Sequence, residues 1–293
     1  MPTVSVIVVS YNTREKLRRC LSCIEPEHEV IVVDNASSDG SAEMVRTDFP
    51  NVRLIENSDN RGFGAANNQG AAIAKGPWLL YLNSDCYASP GAITCLATAL
   101  TEQEAIAGGG KLLNPDGTLQ ESVAADLTLW MVFLEQSFLD RLFRRFGAGY
   151  WRTPKSQVVV PQVMGACLMV KNGLETFDDR FFLYCEDTDL CKRLSMHGAI
   201  LYVPSCEFTH EMGSSSSANR WLAVARYNLG KELYFKIHRG KAAQLFCWAM
   251  NRLGACLRLL IWTLRGNRHQ VTLFYRVLTA SKASILPTQL REP

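Results

Sequence analysis

Three apolar runs along the chain close on polar residues in the same manner. Val4 to Val9 ends in Ser10-Tyr11-Asn12, Glu29 to Val33 in Asp34-Asn35, and Trp78 to Leu82 in Asn83-Ser84-Asp85. Short continuous apolar runs of this kind read as strands buried on both faces, the habit of an open parallel sheet. Ligands of such sheets bind in the crevice outside the carboxyl ends of the strands, so Asp34 and Asp85 are expected to meet at one edge. Helical patterns lie between the runs. Thr13 to Cys23 places Leu17, Cys20 and Leu21 on one face, with Ile24 just beyond, and a second helix starts near Ser41 after the turn-rich Ser37-Ser38-Asp39-Gly40. Val52 to Glu56 reads as a third strand, and the loop Asn57 to Gly64 feeds a helix of small residues, Ala65 to Ala74, able to lie close to a sheet or a ligand.

After the Trp78 strand, Pro90 to Leu100 reads as a helix and Lys111 to Gln120 as a hairpin turning at Asp116-Gly117. Residues 121–157 are rich in aromatic side chains with weak periodicity, and a mobile loop and a satellite core are both compatible with them. Val158 to Val170 returns to strand character, Asp187 to His197 reads as a helix and Ile200 to Val203 as the last strand. The one low-complexity tract is Ser214 to Ser217. The expected class is α/β with a mostly parallel sheet followed by amphipathic helices. Its expected boundaries are a domain over residues 1–219, with halves of about 1–110 and 111–219, and a helical tail over 220–293.

Composition adds two constraints. With 47% hydrophobic and 20% charged residues in 293, the chain has the make-up of a folded globular protein. Met1-Pro2-Thr3 leads straight into a strand without a signal-like segment, which points to the cytoplasm. The ten cysteines are then expected to be reduced, and Cys20 and Cys23, a CxxC on a helix with no second pair at zinc spacing, to be buried side chains. Charge is divided unevenly. Residues 220–293 carry 13 Lys or Arg against Glu232 and Glu292, a surplus of 11 in a chain of net charge +3, which leaves the rest at −8. Such a split suggests a tail that faces an acidic partner, membrane phospholipid or nucleic acid, and a solvated basic surface is the other reading.

Within the tail, Phe246, Met250, Leu253, Leu257, Leu260 and Leu264 form one helical stripe and Gln244, Asn251, Arg258 and Arg265 another. Arg252 and Arg258 argue against a span, since each Arg at mid-bilayer costs about 2.5 to 3.5 kcal/mol on insertion scales. A helix lying in the membrane interface, with Trp248 and Trp262 near its border, is one reading; a helix packed on the preceding domain or on a second subunit is the other.

In order along the chain, VSVIVVSYN, VIVVDNASSDGS, NSDNRGFGAANNQG, LLYLNSD, LLNPDGTLQES, GACLMV and FDDRFFLYCEDTDLCKRL resemble glycosyltransferase family 2, in particular its rhamnosyltransferase-like members, over roughly Val4 to Ser214. The resemblance implies a GT-A fold, a Rossmann-like nucleotide-sugar domain and transfer with inversion. It places Tyr11, Asn12, Asp34 and the Asn60 to Asn67 loop, Gly62 included, around the nucleoside, and a carboxylate at Asp34 suits a pyrimidine N–H. Asn83-Ser84-Asp85 matches the family's DXD-type element with Asn83 in place of the first carboxylate, so Asn83 is assigned to the donor and Asp85, with His210, to Mg²⁺ or Mn²⁺. Asp187 of Glu186-Asp187-Thr188-Asp189 takes the place of the catalytic base, and a position at a helix start favours its ionised form.

The implied reaction moves a sugar, L-rhamnose from dTDP-L-rhamnose, onto a hydroxyl of a cell-surface glycan or a polyprenyl-diphosphate-linked acceptor, at the cytoplasmic face of the membrane. A UDP-sugar donor and a non-catalytic glycan-binding protein of the same fold are the rivals. Asn219-Arg220-Trp221 resembles the end of the QxxRW element of processive synthases, with Ser217 in place of its Gln. The acidic amino-terminal region and the lack of a recognised motif argue against nucleic acid.

Overall fold

The computed structural model describes residues 3–140, 143, 150–151, 153–211 and 219–287; the Ser214 to Ser217 tract lies outside them, and with it the QxxRW position at Ser217. Two compact units divide the chain, Met1–Ala125 with Trp151–Asp179 and Asp187–Ser215, and Asp126–Tyr150 with Arg180–Glu186 and Ser216–Pro293.

The first unit is built on one sheet. Strands β1 (Val4–Ser10), β2 (Glu29–Asp34), β3 (Arg53–Glu56) and β4 (Trp78–Asn83) run parallel in the order β3-β2-β1-β4. The sheet continues through β11 (Cys167–Lys171), β6 (Ala107–Leu113), β12 (Ile200–His210) and β5 (Cys86–Ala88). Here β11 is antiparallel to β4 and β6, and β12 is parallel to β6. Short strands β7 (Leu119–Gln120) and β9 (Val158–Val159) pair with β6 and β12, and β8 (Val123–Ala124) with β10 (Gln162–Val163) makes a separate ribbon.

Alternation along the central strands gives the sheet a core on each face, as period-2 geometry requires. Val4, Val6, Val8, Leu80 and Leu82 enter one hydrophobic cluster, while Ile7, Leu79 and Tyr81 enter the other. Helix Arg14–Ser22 buries Leu17, Cys20 and Leu21 on the first face. On the opposite face helix Phe63–Ile73 packs tightly against β1, since a Cβ at Gly70 would lie 2.5 Å from Ile7 Cγ2. The small side chains of this helix are thus a packing requirement.

Two departures from the sequence pattern matter for the site. The last strand does not stop at Val203; a register shift between Val203 and Glu207 carries it past Pro204 to His210. The Val158 to Val170 stretch is broken into β9, β10 and β11, and the acidic helix runs Glu186–Leu194.

The second unit is helical. Helix Leu129–Gln136, inside the aromatic stretch, sends Val132 into a core with Leu127, Phe181, Tyr234, Phe235 and Cys247, so the satellite-core reading holds for this part. The segment Arg220–Leu264 is two helices meeting at Gly240, which has φ 82 and ψ 178, a conformation open essentially to glycine alone. Asn251 Nδ2 donates to Asn228 O at 3.3 Å and to Glu232 Oε1 at 3.0 Å. In an unbroken helix residues 228 and 251 would stand about 35 Å apart, so the chain reverses at Gly240 and two arms lie side by side.

The arm after Gly240 is amphipathic as the pattern predicted, with Asn251 and Arg258 of its polar stripe turned inward and Arg265 at its end exposed. Asn251 is 3% exposed, and Arg258 donates to the carbonyls of Glu135 and Gln136 at 2.9 and 3.1 Å. Lys231 on the other arm is fully buried against Glu135, 2.9 Å away. The apolar stripe faces outward, with Phe246 66%, Leu253 70% and Leu264 80% exposed. Helices Arg268–Thr279 and Lys282–Ile285 complete the unit.

Replacing Gly70 by Val should destabilise the protein by about 1 to 3 kcal/mol through overpacking against Ile7. Ala72→Val on the exposed side of the same helix should cost no more than about 0.7 kcal/mol. Denaturant unfolding of both variants checks the difference, and equal losses would remove the packing argument.

Candidate active site

The register of the parallel block brings the three polar strand ends together. Ser10 of β1 stands opposite Asp34 of β2, and Val9 stands opposite Asn83 of β4. With about 4.8 Å between strands, Asp34 and Asn83 flank β1 about 10 Å apart. A hydroxyl chain links the ends: Thr13 Oγ1 donates to Ser84 Oγ at 2.9 Å and lies 3.1 Å from Ser10 Oγ.

Asp34 is buried, and its Oδ2 accepts the Ser37 N–H at 2.9 Å while Oδ1 has no hydrogen-bond partner. A buried carboxylate oxygen left in this condition is costly unless a ligand donates to it. Asn35 holds the glycine loop beside it. Its Nδ2 donates to Asn60 Oδ1 and Gly62 O, both at 3.1 Å, and its Oδ1 accepts from Asn57 Nδ2 at 3.0 Å and Arg61 N at 3.1 Å. Gly62, at φ 89 and ψ 174, turns that loop into the following helix, a position where only glycine fits without strain.

The other nucleoside-side residues divide. Tyr11 is exposed at the end of β1. Asn12 spends its Oδ1 on the Ser38 N–H at 2.8 Å and so shapes the Asp34 loop. Asn67 is buried, and its Nδ2 donates to Phe63 O at 3.0 Å within its own helix.

At the end of β4, Asp85 Oδ1 lies 3.3 Å from His210 Nε2, and Asn83 Nδ2 lies 3.4 Å from the same nitrogen. Asp85 and His210 are both buried. The extension of β12 through Pro204 is what delivers His210 here, paired with Cys86 of β5. A carboxylate and an imidazole nitrogen are suitable donors for Mn²⁺ or Mg²⁺, and two protein ligands leave positions for the oxygens of a diphosphate. Among the described residues no three His, Cys, Asp or Glu side chains converge as a closed cage. Asp85 and His210 supply two donors of the kind a divalent ion accepts.

Asp187 reaches the same edge through β11. Asn83 N donates to Ala166 O at 3.1 Å, and the neighbouring Gly165 N donates to Asp187 Oδ2 at 2.9 Å. Asp187 Oδ1 accepts the Thr188 N–H at 2.8 Å. Burial pushes the Asp187 carboxyl above its ordinary range, and the Gly165 and Thr188 N–H groups pull it only part of the way back. This reverses the direction expected from the helix start alone, because desolvation outweighs the dipole. Asp189 is committed elsewhere, to Arg193 at 2.8 Å, which itself pairs with Glu175.

Two contributors escaped the sequence reading. Gln120 contacts His210 from the hairpin, and Gly165 supplies the Asp187 donor; both sit inside the quoted motifs LLNPDGTLQES and GACLMV, where pairing across strands was the missing signal. A surface cavity of about 620 Å³ lined by Glu25, Thr94, Cys95 and Glu102 shares no residue with the site.

Comparison with known proteins places this geometry. The protein is 28% identical over 286 residues to N-acetylglucosaminyl-diphospho-decaprenol L-rhamnosyltransferase of Mycobacterium tuberculosis, covering 89% of each chain. The mannosyltransferase PcManGT of Pyrobaculum calidifontis, solved with GDP-Man and Mn²⁺, superposes with a TM-score of 0.55 at 16% identity, over 94% of this chain and 85% of that one. Residues 1–349 of S. aureus TarS superpose with a TM-score of 0.52 at 15% identity, over 94% and 90%. These likenesses establish the mixed α/β architecture of GT-A glycosyltransferases. A family profile matches residues 5–151, the stretch that carries the strand ends at Asp34 and Asp85, and the chain belongs to glycosyl transferase family 2.

Proposed function

We propose that this glycosyltransferase moves L-rhamnose from dTDP-L-rhamnose, with inversion, onto a hydroxyl of a polyprenyl-diphosphate-linked or cell-surface glycan. The observation that carries the reading is the order of groups along one sheet edge. A buried Asp34 oxygen without a partner comes first, the Asp85 and His210 pair next, and the Asp187 carboxyl beyond it. That order matches base, diphosphate and sugar in a nucleotide sugar. The likeness along 89% of both chains to a protein named for rhamnosyl transfer to a decaprenol-linked sugar supports the choice of donor and acceptor.

In this scheme Asp34 Oδ1 accepts the imide N–H of the pyrimidine. Tyr11 and the Asn60-Gly62 loop, braced by Asn35, border the nucleoside, with Asn12 and Asn67 holding the surrounding loops. Asn83 faces the diphosphate. Asp85 and His210 would hold a Mg²⁺ or Mn²⁺ ion, which would supply charge neutralisation to the leaving diphosphate. Asp187 takes the acceptor hydroxyl proton as that oxygen attacks the anomeric carbon, and the bond to the diphosphate breaks on the opposite face, the electron pair leaving with it. Burial makes Asp187 a stronger base than an exposed carboxylate. Thymine and uracil present the same imide N–H to Asp34, so a UDP-sugar is the second reading of the donor.

Residues 1–219 would carry the chemistry and residues 220–293 would attach the protein to the cytoplasmic face of the membrane. The outward apolar stripe and the exposed cations Lys236, Arg239, Lys241, Arg265 and Arg268 support attachment in the plane of the interface. A second copy of the chain covering the stripe is the competing occupant.

Asp187→Asn should lower kcat by about 10² to 10⁴ while leaving nucleotide affinity near normal. In the wild type kcat should rise with pH as Asp187 ionises, with its acid limb above the ordinary carboxylate value of 3.8, and the limb should vanish in the variant. A limb that persists in Asp187→Asn takes the base role away from this residue.

Calorimetric titration with thymidine diphosphate should find Asp34→Ala weaker by about 1.5 to 3 kcal/mol, the range for a hydrogen bond to a charged group. Unchanged affinity would remove Asp34 from the base-binding role.

The full-length protein should bind anionic liposomes, with each cation near the surface contributing about 1 kcal/mol that fades with salt. Leu253→Asp with Leu257→Asp should weaken the salt-resistant part. Loss of self-association in that variant, with liposome binding unaffected, would assign the stripe to a subunit contact.

A further inference from the structure

The hairpin that ends in Gln120 touches the candidate metal site and has no role in the scheme above. Gln120 is 3% exposed and makes three hydrogen bonds. Its Nε2 lies 2.9 Å from Asn114 Oδ1 and 3.1 Å from the backbone oxygen of His210, and its Oε1 lies 2.7 Å from His210 Nδ1. A backbone carbonyl can only accept, so the Gln120 atom facing it is the amide nitrogen. The atom facing the His210 ring is then the amide oxygen, which can only accept, and His210 Nδ1 must carry the proton.

A neutral imidazole with its proton on Nδ1 has its lone pair on Nε2. That nitrogen is the one turned toward Asp85 Oδ1 at 3.3 Å and Asn83 Nδ2 at 3.4 Å. Two acceptors at that separation are drawn together by a cation between them or by a second proton on the ring. The Asn83 amide, a potential donor to Nε2, agrees with a lone pair there.

We infer that Gln120 is a positioning residue that fixes His210 in the Nδ1–H tautomer and so presents Nε2 as a ligand to a divalent cation shared with Asp85. The inference rests on the metal role proposed for His210. It assigns the turn Asn114–Thr118 a purpose as well: Asn114 N donates to the Thr118 carbonyl at 2.8 Å and closes the turn, and the Asn114 side-chain oxygen accepts from the Gln120 amide. Residues that hold a ligating histidine in this way typically change metal affinity by about 10- to 100-fold when removed.

The test has two readouts besides activity. In the wild-type protein without metal, the ring nitrogens of ¹⁵N-labelled His210, read at a pH where the ring is neutral, should show the proton on Nδ1; a proton on Nε2 overturns the inference without any variant. Mn²⁺ binding, followed by the resonance of the free ion in the presence of thymidine diphosphate, should weaken about 10- to 100-fold in Gln120→Leu. His210→Ala separates the two ideas: if it binds Mn²⁺ like the wild type, the metal role of His210 fails. If His210→Ala weakens binding and folded Gln120→Leu does not, the role of Gln120 fails and that of His210 stands. Should Gln120→Leu not fold, the wild-type tautomer decides.

Discussion

Two backbone N–H groups at the end of β4 and the start of β11 hold the candidate site together. Asn83 N–H is satisfied by Ala166 O, and the next residue back, Gly165, gives its N–H to Asp187. One ladder thereby joins the strand that leads to Asp85 to the helix that carries Asp187. Because the antiparallel pairing of β11 with β4 fixes the register, from Cys167 opposite Leu82 onward, the carboxyl groups are set by main-chain geometry and not by the reach of flexible side chains. A Cβ at Gly165 would sit 3.2 Å from Asp187 Cβ, so the closeness of this joint is itself sequence-dependent.

The buried polar groups around that joint share a logic. Each carboxylate is held by backbone donors and keeps acceptor capacity to spare. Asp34 has Ser37 on Oδ2, while Asp187 has one backbone N–H on each oxygen and keeps further lone pairs. Asn35 does the opposite and uses its carboxamide entirely inside the protein, which makes it a brace and not a ligand. Neighbours in sequence, Asp34 and Asn35 thus point to different tasks, as alternation along an extended chain dictates.

Much of this was legible in the sequence. The runs closing on Ser10, Asp34 and Asn83 announced a parallel block with its polar groups at one end, because burial on both faces leaves a strand only its ends for polar residues. The loop at Gly62 and the acidic helix were equally plain. His210 was harder to place, since Pro204-Ser205-Cys206-Glu207 looks like the end of a strand and is in fact a register shift within one. Gln120 was invisible because its partners are 6 and 90 residues away in sequence. In the tail the two stripes were readable, but periodicity does not say which stripe faces inward. Cations and amides won the interior there because Glu135, Gln136 and Glu232 supply acceptors that pattern analysis of one helix cannot see.

The reversal at Gly240 constrains how this hairpin can meet a lipid surface. Its tip carries Lys236, Arg239 and Lys241, all exposed. Driving that tip into hydrocarbon would cost about 2.5 to 3.5 kcal/mol for each cation on insertion scales, more than the apolar residues of the turn offset. With the arms bound side by side through Asn251, a tail attached to a membrane as proposed above would not thread it as a single rod. The arm from Lys241 to Leu264, about 36 Å long, would instead rest on its side with its leucines down, and the charged tip would act as an outrigger that sets its heading without setting its depth.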